Sequence, residues 1–575
     1  PPSPHGALTR CLLPLILLLP ACAPPSPEAA KDHAYTTWER YLGDATSSHY
    51  SALDQINTEN VQQLQLAWTY HTGDADPEGR TQIQCNPIII DSVLYATSPR
   101  VKVLALHAAT GEEIWTFDPY SEGAEVPEGS GVNRGVVYWA DGDDRRILFV
   151  AGSTLFALNA DTGRPIPSFG NAGLVDLHDG LDRDVAGLFV TARTPGIIYK
   201  NLLIQGTSLS EGPVSAPGHI RAYDVRTGAI AWIFHTIPHP GEFGYETWPE
   251  DAYERIGGAN AWSGLSVDAE RGIVFLPTGS AAFDFWGGNR AGENLFANSV
   301  LALNAETGER IWHFQTVHHD IWDRDLPAAP NLVTVEHEGR RIDAVAQITK
   351  SGHVFLLDRE TGEPLFPVEE RPFPPSDLQD EEAWPTQPIP TKPPPFARQA
   401  FTEDDITDLS PEAHAYVLER LRQVRSAGQF VPPSTQGTII YPGFDGAAEW
   451  GGAGYDPTTG ILYVNSNEMP WILEMVALAP EGATSGQNLY ALHCAGCHGT
   501  DRQGDAEQTF PSLLRLEERL TEAEVTQQIA RGKGIMPSFQ FLTDAEKEAI
   551  LAFLFDREKE TETDVMEANP LSRSY

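Results

Sequence analysis

A short phrase that recurs six times between residues 106 and 463 constrains the fold of this 575-residue chain more than any other feature. In each copy an apolar segment leads into a turn that ends in Thr-Gly, and a second β-rich segment follows. This is the pattern of a β-hairpin. The turn glycines are Gly111, Gly163, Gly228, Gly308, Gly362 and Gly460.

The spacing of these turns predicts the architecture. The two shortest intervals, from Gly111 to Gly163 and from Gly308 to Gly362, each suit one four-stranded sheet, which is the size of a β-propeller blade. A β-sandwich array is the alternative. Aromatic residues, often Trp, follow the Thr-Gly pairs by three to five residues, and this position is typical of packing between blades. We therefore predict an all-β propeller, with a proline-rich insertion at 371–396 as irregular chain.

The hydrophobic periodicity changes after about residue 478. The segment GQNLYALH favours a helix, and two later segments open with capping boxes, Thr521 with Glu524 and Thr543 with Glu546. These features predict a small all-helical domain behind the β-rich part.

The helical part contains a haem-attachment motif. Cys494, Cys497 and His498 form C-x-x-C-H, which binds a c-type haem covalently. Met536, in GKGIMPSF, is the predicted second iron ligand, and Met ligation raises the potential of the iron. A redox dithiol or a zinc site is the alternative for the cysteines, and a core position is the alternative for Met536. We predict haem c with His498 and Met536 on the iron.

The N-terminus resembles an export signal. The apolar run at 11–22 is too short to span a bilayer and is followed at once by APPSPEAA. Its end, LPAC, resembles a lipoprotein cleavage box, which would make Cys22 the lipid-bearing first residue. A plain secretory signal, in which Cys22 has no role, is the alternative. We expect a periplasmic protein, anchored to the outer membrane if Cys22 carries lipid.

The charge balance excludes polyanionic partners. The chain has 80 acidic and 39 basic residues and a net charge of −41. Such a chain repels the phosphate backbone of nucleic acids and an anionic membrane surface. Its hydrophobic content of 41% is ordinary for a globular protein, so we do not predict disorder throughout.

Three segments resemble the quinoprotein dehydrogenases, which bind pyrroloquinoline quinone (PQQ). They are the opening WERYLGDATSSHYSALDQINTENVQQLQLAWTYHTGD (38–74), TVHHDIWDRDLPAAPNL (316–332) and WGGNR (286–290). The last two are most similar to the glucose dehydrogenase branch. The resemblance covers most of residues 38 to 470 and implies an eight-bladed propeller with PQQ and Ca²⁺ near its axis. The adjacent cysteines of many alcohol-oxidising members are replaced by PEGSG (127–131), which also favours the glucose branch.

The resemblance also implies roles for individual residues. Asp323 matches the catalytic base that takes the substrate's hydroxyl proton. Lys350 matches the cation beside the quinone carbonyls. Trp262 matches the indole under the PQQ ring, Arg134 an arginine at the PQQ carboxylates, and Asn465 a late contact to PQQ. The same residue types also occur in turns, on surfaces and in blade packing.

A calcium site follows from the same resemblance. Glu211, Ser280 and Asp323 fall where the family places ligands of the ion, and Ca²⁺ prefers such hard oxygens. Ser280 is a poorer ligand than the Asn that is often found at its position.

These predictions divide the chain into a signal peptide (1–22), a PQQ-binding propeller (23–477), a cytochrome c domain (478–556) and a linker (557–575). Six turn repeats are too few for eight blades. We therefore expect the closing strands to be missing, with the linker returning towards them.

Together the features predict a periplasmic quinohaemoprotein dehydrogenase for a sugar, such as glucose or another aldose, or an alcohol. Hydride would pass to PQQ, and electrons would pass singly to haem c. The final acceptor would be a soluble cytochrome, a membrane quinone or an oxidase. A non-enzymatic propeller scaffold of the outer-membrane assembly type is the alternative, but it gives no reason for Asp323, Lys350 and Trp262. A nitrite-reductase-like propeller would need a second haem, for which the cysteines do not suffice.

Overall fold

The computed structural model describes residues 35–77, 81–122, 132–212, 214–476, 485–504, 510–532, 536, 539 and 542–557. The predicted signal peptide with Cys22, the PEGSG segment, the boundary at 477/478 and the linker beyond Arg557 lie outside these residues. In the described part of the chain, no helix has both the length and the apolar character needed to cross a membrane.

Four antiparallel sheets contain four strands each, which pair in chain order. The first two consist of β1 (Ile88–Ile90), β2 (Val93–Thr97), β3 (Val103–His107) and β4 (Glu113–Phe117), then β5 (Val137–Asp141), β6 (Asp144–Ala151), β7 (Thr154–Asn159) and β8 (Leu174–Asp176). A two-stranded pair, β9 (Val190–Thr191) with β12 (Ser208–Leu209), accompanies the third sheet, β10 (Ile197–Tyr199), β11 (Leu202–Gln205), β13 (Ile220–Asp224) and β14 (Ile230–Phe234). The fourth is β15 (Ser266–Asp268), β16 (Ile273–Pro277), β17 (Ser299–Asn304) and β18 (Arg310–Gln315).

Smaller sheets follow. They are the three-stranded β19 (Asn331–His337), β20 (Arg340–Ile348) and β21 (Val354–Asp358), and the pairs β22 (Val368–Pro372) with β23 (Thr386–Pro390), β24 (Thr438–Ile440) with β27 (Trp471–Leu473), and β25 (Ala453–Asp456) with β26 (Ile461–Val464). The strands β5, β10, β15, β19 and β25 adjoin in that order. First strands that meet side by side in this way are the inner strands of a propeller. The propeller is confirmed, and the count of eight blades stays a prediction.

Each repeated turn is built by its own side chains. In the third sheet, Asp224 Oδ1 accepts hydrogen bonds from the backbone N–H groups of Arg226 and Thr227, at 3.0 and 2.8 Å. Gly228 completes the turn with a φ of 74°, a conformation that favours glycine. Five of the six copies have Asn or Asp at the first turn position, and the first copy has His107 there. With Gly at the last position, the turn is a local feature, which explains why the repeats could be read from the sequence.

Tryptophans couple neighbouring sheets through these turns. Trp115, Trp232 and Trp312, from β4, β14 and β18, donate their indole N–H groups to carbonyls in the turn of the next sheet, at 2.9, 3.3 and 3.1 Å. Each indole also covers the glycine of that turn, so that a Cβ atom on the glycine would lie 2.5–2.6 Å from the ring. The predicted role of the aromatic residues in blade packing is confirmed for these three.

We expect Gly308→Ala to destabilise the propeller more than Gly460→Ala. Both glycines end the repeated turn, with φ of 75° and 72°, so both variants lose roughly 1–2 kcal/mol to the left-handed conformation. A Cβ at Gly308 would also lie 2.5 Å from the Trp232 ring, whereas nothing lies within 4 Å at Gly460. Overpacking adds about 1–3 kcal/mol. Thermal unfolding of both variants measures the difference, and equal losses would contradict the packing argument.

The segment before the first sheet ties several sheets together. Its backbone carbonyls accept hydrogen bonds from inner strands of different sheets: Trp38 from Ile89, Ala45 from Val267, Thr46 from Leu332 and Ser48 from Tyr455. This part of the opening segment therefore crosses from sheet to sheet beside the inner strands.

The helices are Ala252–Arg255, Pro411–Gln423, Gly486–His493, Ala495–His498, Glu522–Arg531 and Asp544–Leu554, with 3₁₀ turns at Val61–Gln63, Pro119–Glu122, Tyr245–Thr247, Glu403–Asp405 and Leu516–Glu518. Both predicted capping boxes are present. The last four helices pack around a core that includes Leu489, Ile529, Ile550 and Leu554, and this confirms a small helical domain.

The proline-rich insertion differs from its prediction as irregular chain. Part of it forms the ribbon of β22 and β23, in which Val368 lies opposite Pro390. A two-stranded ribbon has only edge strands, and edge strands tolerate proline because its missing N–H can face solvent. A helix over Pro411–Gln423 was not predicted either. Ser410 caps the N-terminus of this helix, because its Oγ accepts a hydrogen bond from Ala413 N at 3.1 Å.

Candidate active site and haem site

One cavity of about 390 Å³ collects most of the residues that the sequence assigned to PQQ and calcium. Of those residues, the ones that line it are Arg134, Glu211, Trp262, Ser280 and Lys350. They come from segments next to different sheets, so the side-by-side arrangement of the blades brings them together. A second cavity of about 480 Å³ is lined by residues from 293–318 and 364–388 and contains none of the predicted site residues.

Two predicted residues lie apart from the cavity lining. Asp323 does not line the cavity but contacts Lys350, which does. Asn465 follows β26, is exposed, and is absent from the lining. The structure therefore gives no geometric support for Asn465 as a PQQ contact, and that role stays a prediction.

Lys350 and Asp323 form a buried ion pair. Lys350 Nζ lies 2.9 Å from Asp323 Oδ1 and 4.0 Å from Asp325 Oδ2, and the side chains of Lys350 and Asp323 are only 7% and 13% exposed. Lys350 occupies the turn between β20 and β21. Asp323 has a φ of 55°, an uncommon conformation for a residue other than glycine and a frequent one at functional sites.

The electrostatics of the pair follow from burial and from the surplus of acids. Burial raises the pKa of Asp323 well above its ordinary value, and Asp325 and Glu211 raise it further, although Lys350 lowers it. For Lys350, burial lowers the pKa, but Asp323 and Asp325 outweigh this effect and raise it overall. Lys350 is therefore charged, and Asp323 binds a proton more readily than an exposed carboxylate does.

Asp325 is a site residue that the sequence analysis missed. Its Oδ2 accepts a hydrogen bond from Trp262 Nε1 at 2.7 Å, and its Oδ1 accepts one from Ser280 N at 2.5 Å. A Cβ on Gly279 would lie 2.5 Å from Asp325 Oδ1, so the backbone needs glycine there to approach the carboxylate. Asp325 thus fixes the orientation of the Trp262 indole. The available signal was its position two residues after Asp323 in WDRD.

Asp320 organises the layer behind the cavity. Its Oδ2 accepts hydrogen bonds from Ser280 Oγ at 2.5 Å, from Asn298 Nδ2 at 2.8 Å and from Arg324 N at 2.5 Å. The Ser280 hydroxyl proton is therefore committed to Asp320. Because a hydroxyl oxygen has two lone pairs, it can still act as a ligand.

Arg134, which also lines the cavity, is held by aromatic and polar side chains. Its guanidinium lies 4.4 Å from the ring centroid of Trp450 and 5.4 Å from that of Trp262. It donates to Thr194 Oγ1 at 3.0 Å and to Gln84 Oε1 at 3.1 Å. Burial lowers its pKa to about 10, so it stays charged near neutral pH. Trp450 was not predicted.

Further charged residues that the sequence analysis did not single out line the same cavity: Arg193, Asp284, Asp445 and Glu449. Asp284 is buried, and burial followed by Glu211 and Asp323 raises its pKa well above the ordinary value. The lining thus mixes cations with acids, and we call the mutually interacting acids near Glu211, Asp284 and Asp325 the acidic wall. The acidic wall supplies the hard oxygens that a Ca²⁺ ion requires.

The haem motif has the arrangement that iron ligation needs. His498 is buried, and its Nδ1 lies 2.8 Å from the carbonyl oxygen of Pro511. A carbonyl can only accept, so Nδ1 carries the proton and Nε2 keeps its lone pair for a metal. Cys494 packs against the helical core, whereas Cys497 is exposed. Burial raises the pKa of Cys494 to about 12.

Met536 lies in the same domain, against the same core. Its Sδ is 3.8 Å from Gln528 Nε2, in the helix Glu522–Arg531. The structure therefore places both predicted iron ligands in one small domain, and the ligation itself stays a prediction.

Comparison with known families agrees with this geometry. A model of the β-propeller domain of PQQ-dependent glucose, ethanol and alcohol dehydrogenases matches residues 38–512. A model of subunit III of cbb3-type cytochrome c oxidase matches residues 481–554.

Individual relatives give the same result. The chain is 32% identical over 477 residues to the quinoprotein glucose dehydrogenase of Escherichia coli, which covers 79% of this chain and 58% of that protein. It is 32% identical over 473 residues to the quinate/shikimate dehydrogenase (quinone) of Acinetobacter baylyi, covering 77% and 58%. A solved quinohaemoprotein alcohol dehydrogenase from Pseudomonas putida has 26% identity and a TM-score of 0.59, covering 82% of this chain and 65% of that one.

These matches extend along most of the chain, although the chain spans only about three fifths of the length of the curated relatives. The matched range includes the propeller sheets and the cavity, and the second model covers the helical domain with its C-x-x-C-H motif. The chain therefore belongs to the family of PQQ-dependent glucose, ethanol and alcohol dehydrogenase propellers, and it carries a cytochrome c domain behind its propeller.

Proposed function

We propose that this protein is a dehydrogenase that oxidises a sugar, such as glucose or another aldose, or an alcohol with PQQ, and that its electrons leave through haem c. The observation that carries the proposal is the buried Lys350–Asp323 pair beside a cavity whose lining includes arginines and tryptophans. Relatives in the family are named for glucose, glycerol and quinate or shikimate. The proposal is therefore limited to a CH–OH donor.

The cavity residues fit PQQ, a planar quinone that carries carboxylates. Arg134 and Arg193 line the cavity and can pair with carboxylates. The faces of Trp262 and Trp450 can stack on a flat ring, and such stacking contributes about 0.5–1.5 kcal/mol beyond burial. Lys350 would lie beside the quinone oxygens. When bound, PQQ supplies a two-electron oxidant for the carbon that carries the hydroxyl.

The protein's own residues prepare the substrate for this oxidation. The Asp323 carboxylate accepts the hydroxyl proton as general base, and its raised pKa makes it a stronger base than an exposed carboxylate. Lys350 holds Asp323 in place through the 2.9 Å contact and supplies a fixed positive charge. Asp325 orients Trp262 through the indole hydrogen bond.

The acidic wall fits Ca²⁺. Glu211, Ser280, Asp323 and the two residues added by the structure, Asp284 and Asp325, offer carboxylate and hydroxyl oxygens, the ligands this ion prefers. The raised pKa values of Glu211 and Asp284 agree with this assignment, since burial and neighbouring acids make these two carboxyl groups resist ionisation. Bound Ca²⁺ supplies the positive charge that keeps these acids ionised.

The C-terminal domain fits haem c. Cys494 and Cys497 would form the thioether bonds, and His498 Nε2 and Met536 Sδ would ligate the iron. Bound haem supplies one-electron transfer, so the domain must accept electrons twice for each substrate molecule.

Replacing Met536 tests the iron ligation. We expect Met536→Ala to lower the reduction potential of the haem, because thioether ligation stabilises the reduced iron. Met469→Ala is the matched control, since Met469 is 50% exposed in the propeller. Redox titration of the Soret band measures both potentials. An unchanged potential in Met536→Ala would remove Met536 from the iron.

We also propose the periplasm as the compartment, with lipid attached at Cys22, and a soluble cytochrome, a membrane quinone or an oxidase as the acceptor. Two features of the sequence support this proposal, the export signal and the covalent haem motif. Fractionation of expressing cells, with a Cys22→Ser variant as control, tests it. Recovery of wild-type protein in the cytoplasm would contradict it, and equal membrane association of the variant would contradict the lipid anchor.

One experiment tests the enzymatic proposal as a whole. The purified haem-loaded protein is incubated with PQQ and Ca²⁺, and the Soret band is followed after glucose or ethanol is added. We expect reduction of the haem with at least one aldose or alcohol, and none when PQQ is omitted. A haem that stays oxidised with every aldose and alcohol tested, although PQQ is bound, would favour the scaffold alternative.

A further inference from the structure

A second cluster of ligand-type side chains lies away from the PQQ cavity. Asp182, His219, His235 and His239 each offer one ligand atom, and these four atoms lie within 4.8 Å of one another. None of the four lines the cavity. Strand pairing explains part of the arrangement, because β13 and β14 place Ile220 opposite Phe234 and so bring their neighbours His219 and His235 together.

His219, the buried histidine of the cluster, has a ring nitrogen without a hydrogen-bond partner in the part of the chain that the structure describes. His219 is 2% exposed, and its Nδ1 has no hydrogen-bond partner among the described residues. Buried polar atoms without a partner are rare in folded proteins, so this nitrogen is a candidate for binding a ligand. The lone pair of an imidazole nitrogen is the site through which histidine binds a metal.

The outer histidines stack above His219. The ring centroids of His235 and His239 are 4.0 Å apart with an interplanar angle of 11°, and the centroid of His235 is 4.7 Å from that of His219. The centroids of His219 and His239 are 5.9 Å apart, so one ion could contact all three imidazoles.

Carboxylates complete the cluster. His235 Nε2 lies 2.9 Å from Asp182 Oδ2, and His235 Nδ1 lies 2.9 Å from Glu242 Oε1. Glu242 Oε2 also accepts a hydrogen bond from the backbone N–H of His239 at 2.8 Å. Glu242 can thus orient His235 from behind, as the outer carboxylate does in carboxylate–histidine–metal arrangements.

We propose that Asp182, His219, His235 and His239 bind one divalent transition-metal ion, with Zn²⁺ as the fitting example. Three imidazoles and one carboxylate are ligands that zinc prefers, at about 2.0–2.2 Å in tetrahedral geometry. Such a geometry brings ligand atoms to within about 3.5 Å of one another, which small side-chain rotations can achieve from the present spacing. The nitrogen-rich donor set disfavours Ca²⁺ and Mg²⁺, which prefer oxygen.

The charges that face the site permit a cation. Arg183 and Arg221 are the neighbouring cations, and both guanidinium groups donate hydrogen bonds to backbone carbonyls. Arg183 donates to Ser215 at 2.6 Å and to Ile256 at 2.8 Å, and Arg221 donates to Asp179 at 2.8 Å. Asp182 and Glu242 offset their two positive charges.

The position of the site indicates a structural role. Four protein ligands close a zinc site, whereas catalytic zinc keeps an open position. The metal would join the loop that contains Asp182 to the segment that follows β14. Pro217, two residues before His219, bridges to Gly258 in the cavity wall. The site would therefore support that wall without taking part in the oxidation, and it does not depend on the proposed function.

Zinc analysis of the haem-loaded protein tests the proposal. The protein is stripped with a chelator, incubated with Zn²⁺ and freed of excess metal. We expect about one zinc ion per chain by elemental analysis, and a zinc X-ray absorption spectrum with nitrogen and oxygen neighbours, including imidazole, and no sulfur. We also expect zinc to raise the unfolding temperature by at least about 2 °C, since it binds only the folded chain.

Variants locate the ion. His235→Gln and His239→Gln should each lose at least about nine tenths of the bound zinc and the thermal shift, because each removes one of four ligands. His178→Gln is the matched control. Its imidazole also pairs with a carboxylate, with Nδ1 2.7 Å from Asp176 Oδ1, but it lies outside the cluster, so that variant should keep the ion.

Three results would overturn the proposal: wild-type protein without stoichiometric zinc, a zinc spectrum with sulfur neighbours, or full retention of zinc in both histidine variants. If a variant fails to fold, the wild-type stoichiometry and spectrum still decide the question.

Discussion

Replacing Asp323 with asparagine should reduce PQQ-dependent oxidation of the substrate by about 100- to 10,000-fold. Asparagine keeps the size of the side chain but cannot accept the hydroxyl proton, and general-base catalysis contributes about this factor. Lys350 would lose its partner at 2.9 Å, yet the cavity would keep its arginines and tryptophans. Steady-state turnover, followed through reduction of the haem, measures the loss.

A surface variant and a chemical reductant serve as controls. Asp377→Asn also removes one carboxylate that is paired with an arginine, but at a side chain that is 59% exposed, and it should retain wild-type turnover. Reduction of the haem by dithionite should be the same in both variants, which shows that the electron carrier is intact. Asp323→Asn with turnover near that of the wild type would exclude this residue as the base.

Replacing Lys350 with methionine should destabilise the propeller by about 3–5 kcal/mol as well as abolish turnover. Removing one partner of a buried pair leaves an uncompensated charge in a low-dielectric site. Asp323 and Asp325 would then face each other and Glu211 without the Lys350 ammonium group. Thermal or denaturant unfolding, in the absence of Ca²⁺, measures the change.

The loss of unfolding free energy in Lys350→Met should become smaller as the pH falls. The raised pKa of Lys350 means that its charge stabilises the fold below the ordinary lysine pKa for as long as Asp323 is ionised. Acid conditions protonate Asp323, whose pKa is already raised, and so remove the charge that the variant leaves unpaired. The destabilisation should therefore be smaller at about pH 5 than at about pH 8.

Lys200→Met is the control for this variant. Lys200 Nζ also lies close to a carboxylate, 2.7 Å from Glu306 Oε2, but the two side chains are 58% and 63% exposed. Water screens such a pair, so its loss should be much smaller and independent of pH in this range. Equal effects of the two substitutions would show that burial of Lys350 does not produce the predicted penalty.

Local features of this chain could be predicted because their causes are local. In five of its six copies the repeated turn has an Asn or Asp, a Thr and a Gly at fixed offsets, and the turn at Asp224 shows the resulting hydrogen bonds and positive φ. The capping boxes at Thr521 and Thr543 need residues three positions apart. The haem motif is likewise contiguous. Resemblance to a family then supplied Asp323, Lys350, Trp262 and Arg134.

The contacts that complete the site could not be predicted from spacing. Trp450 and Arg134 are more than 300 residues apart in the numbering, yet the guanidinium lies 4.4 Å from the indole centroid. Asp325, which follows β18, accepts hydrogen bonds from Trp262, which precedes β15, and from Ser280, which follows β16. The histidine cluster also combines residues from separate loops, and no motif of fixed spacing describes it.

The sequence by itself determined the repeated hairpins, the helical haem domain and the residue types available for a redox site, because each depends on backbone turns, caps and ligands that lie close along the chain. Only the tertiary structure decided which charges are buried together, which indole faces which arginine, and where three histidines meet. These properties depend on how neighbouring sheets pack side by side, and burial and distance between residues of different sheets are not encoded in local spacing.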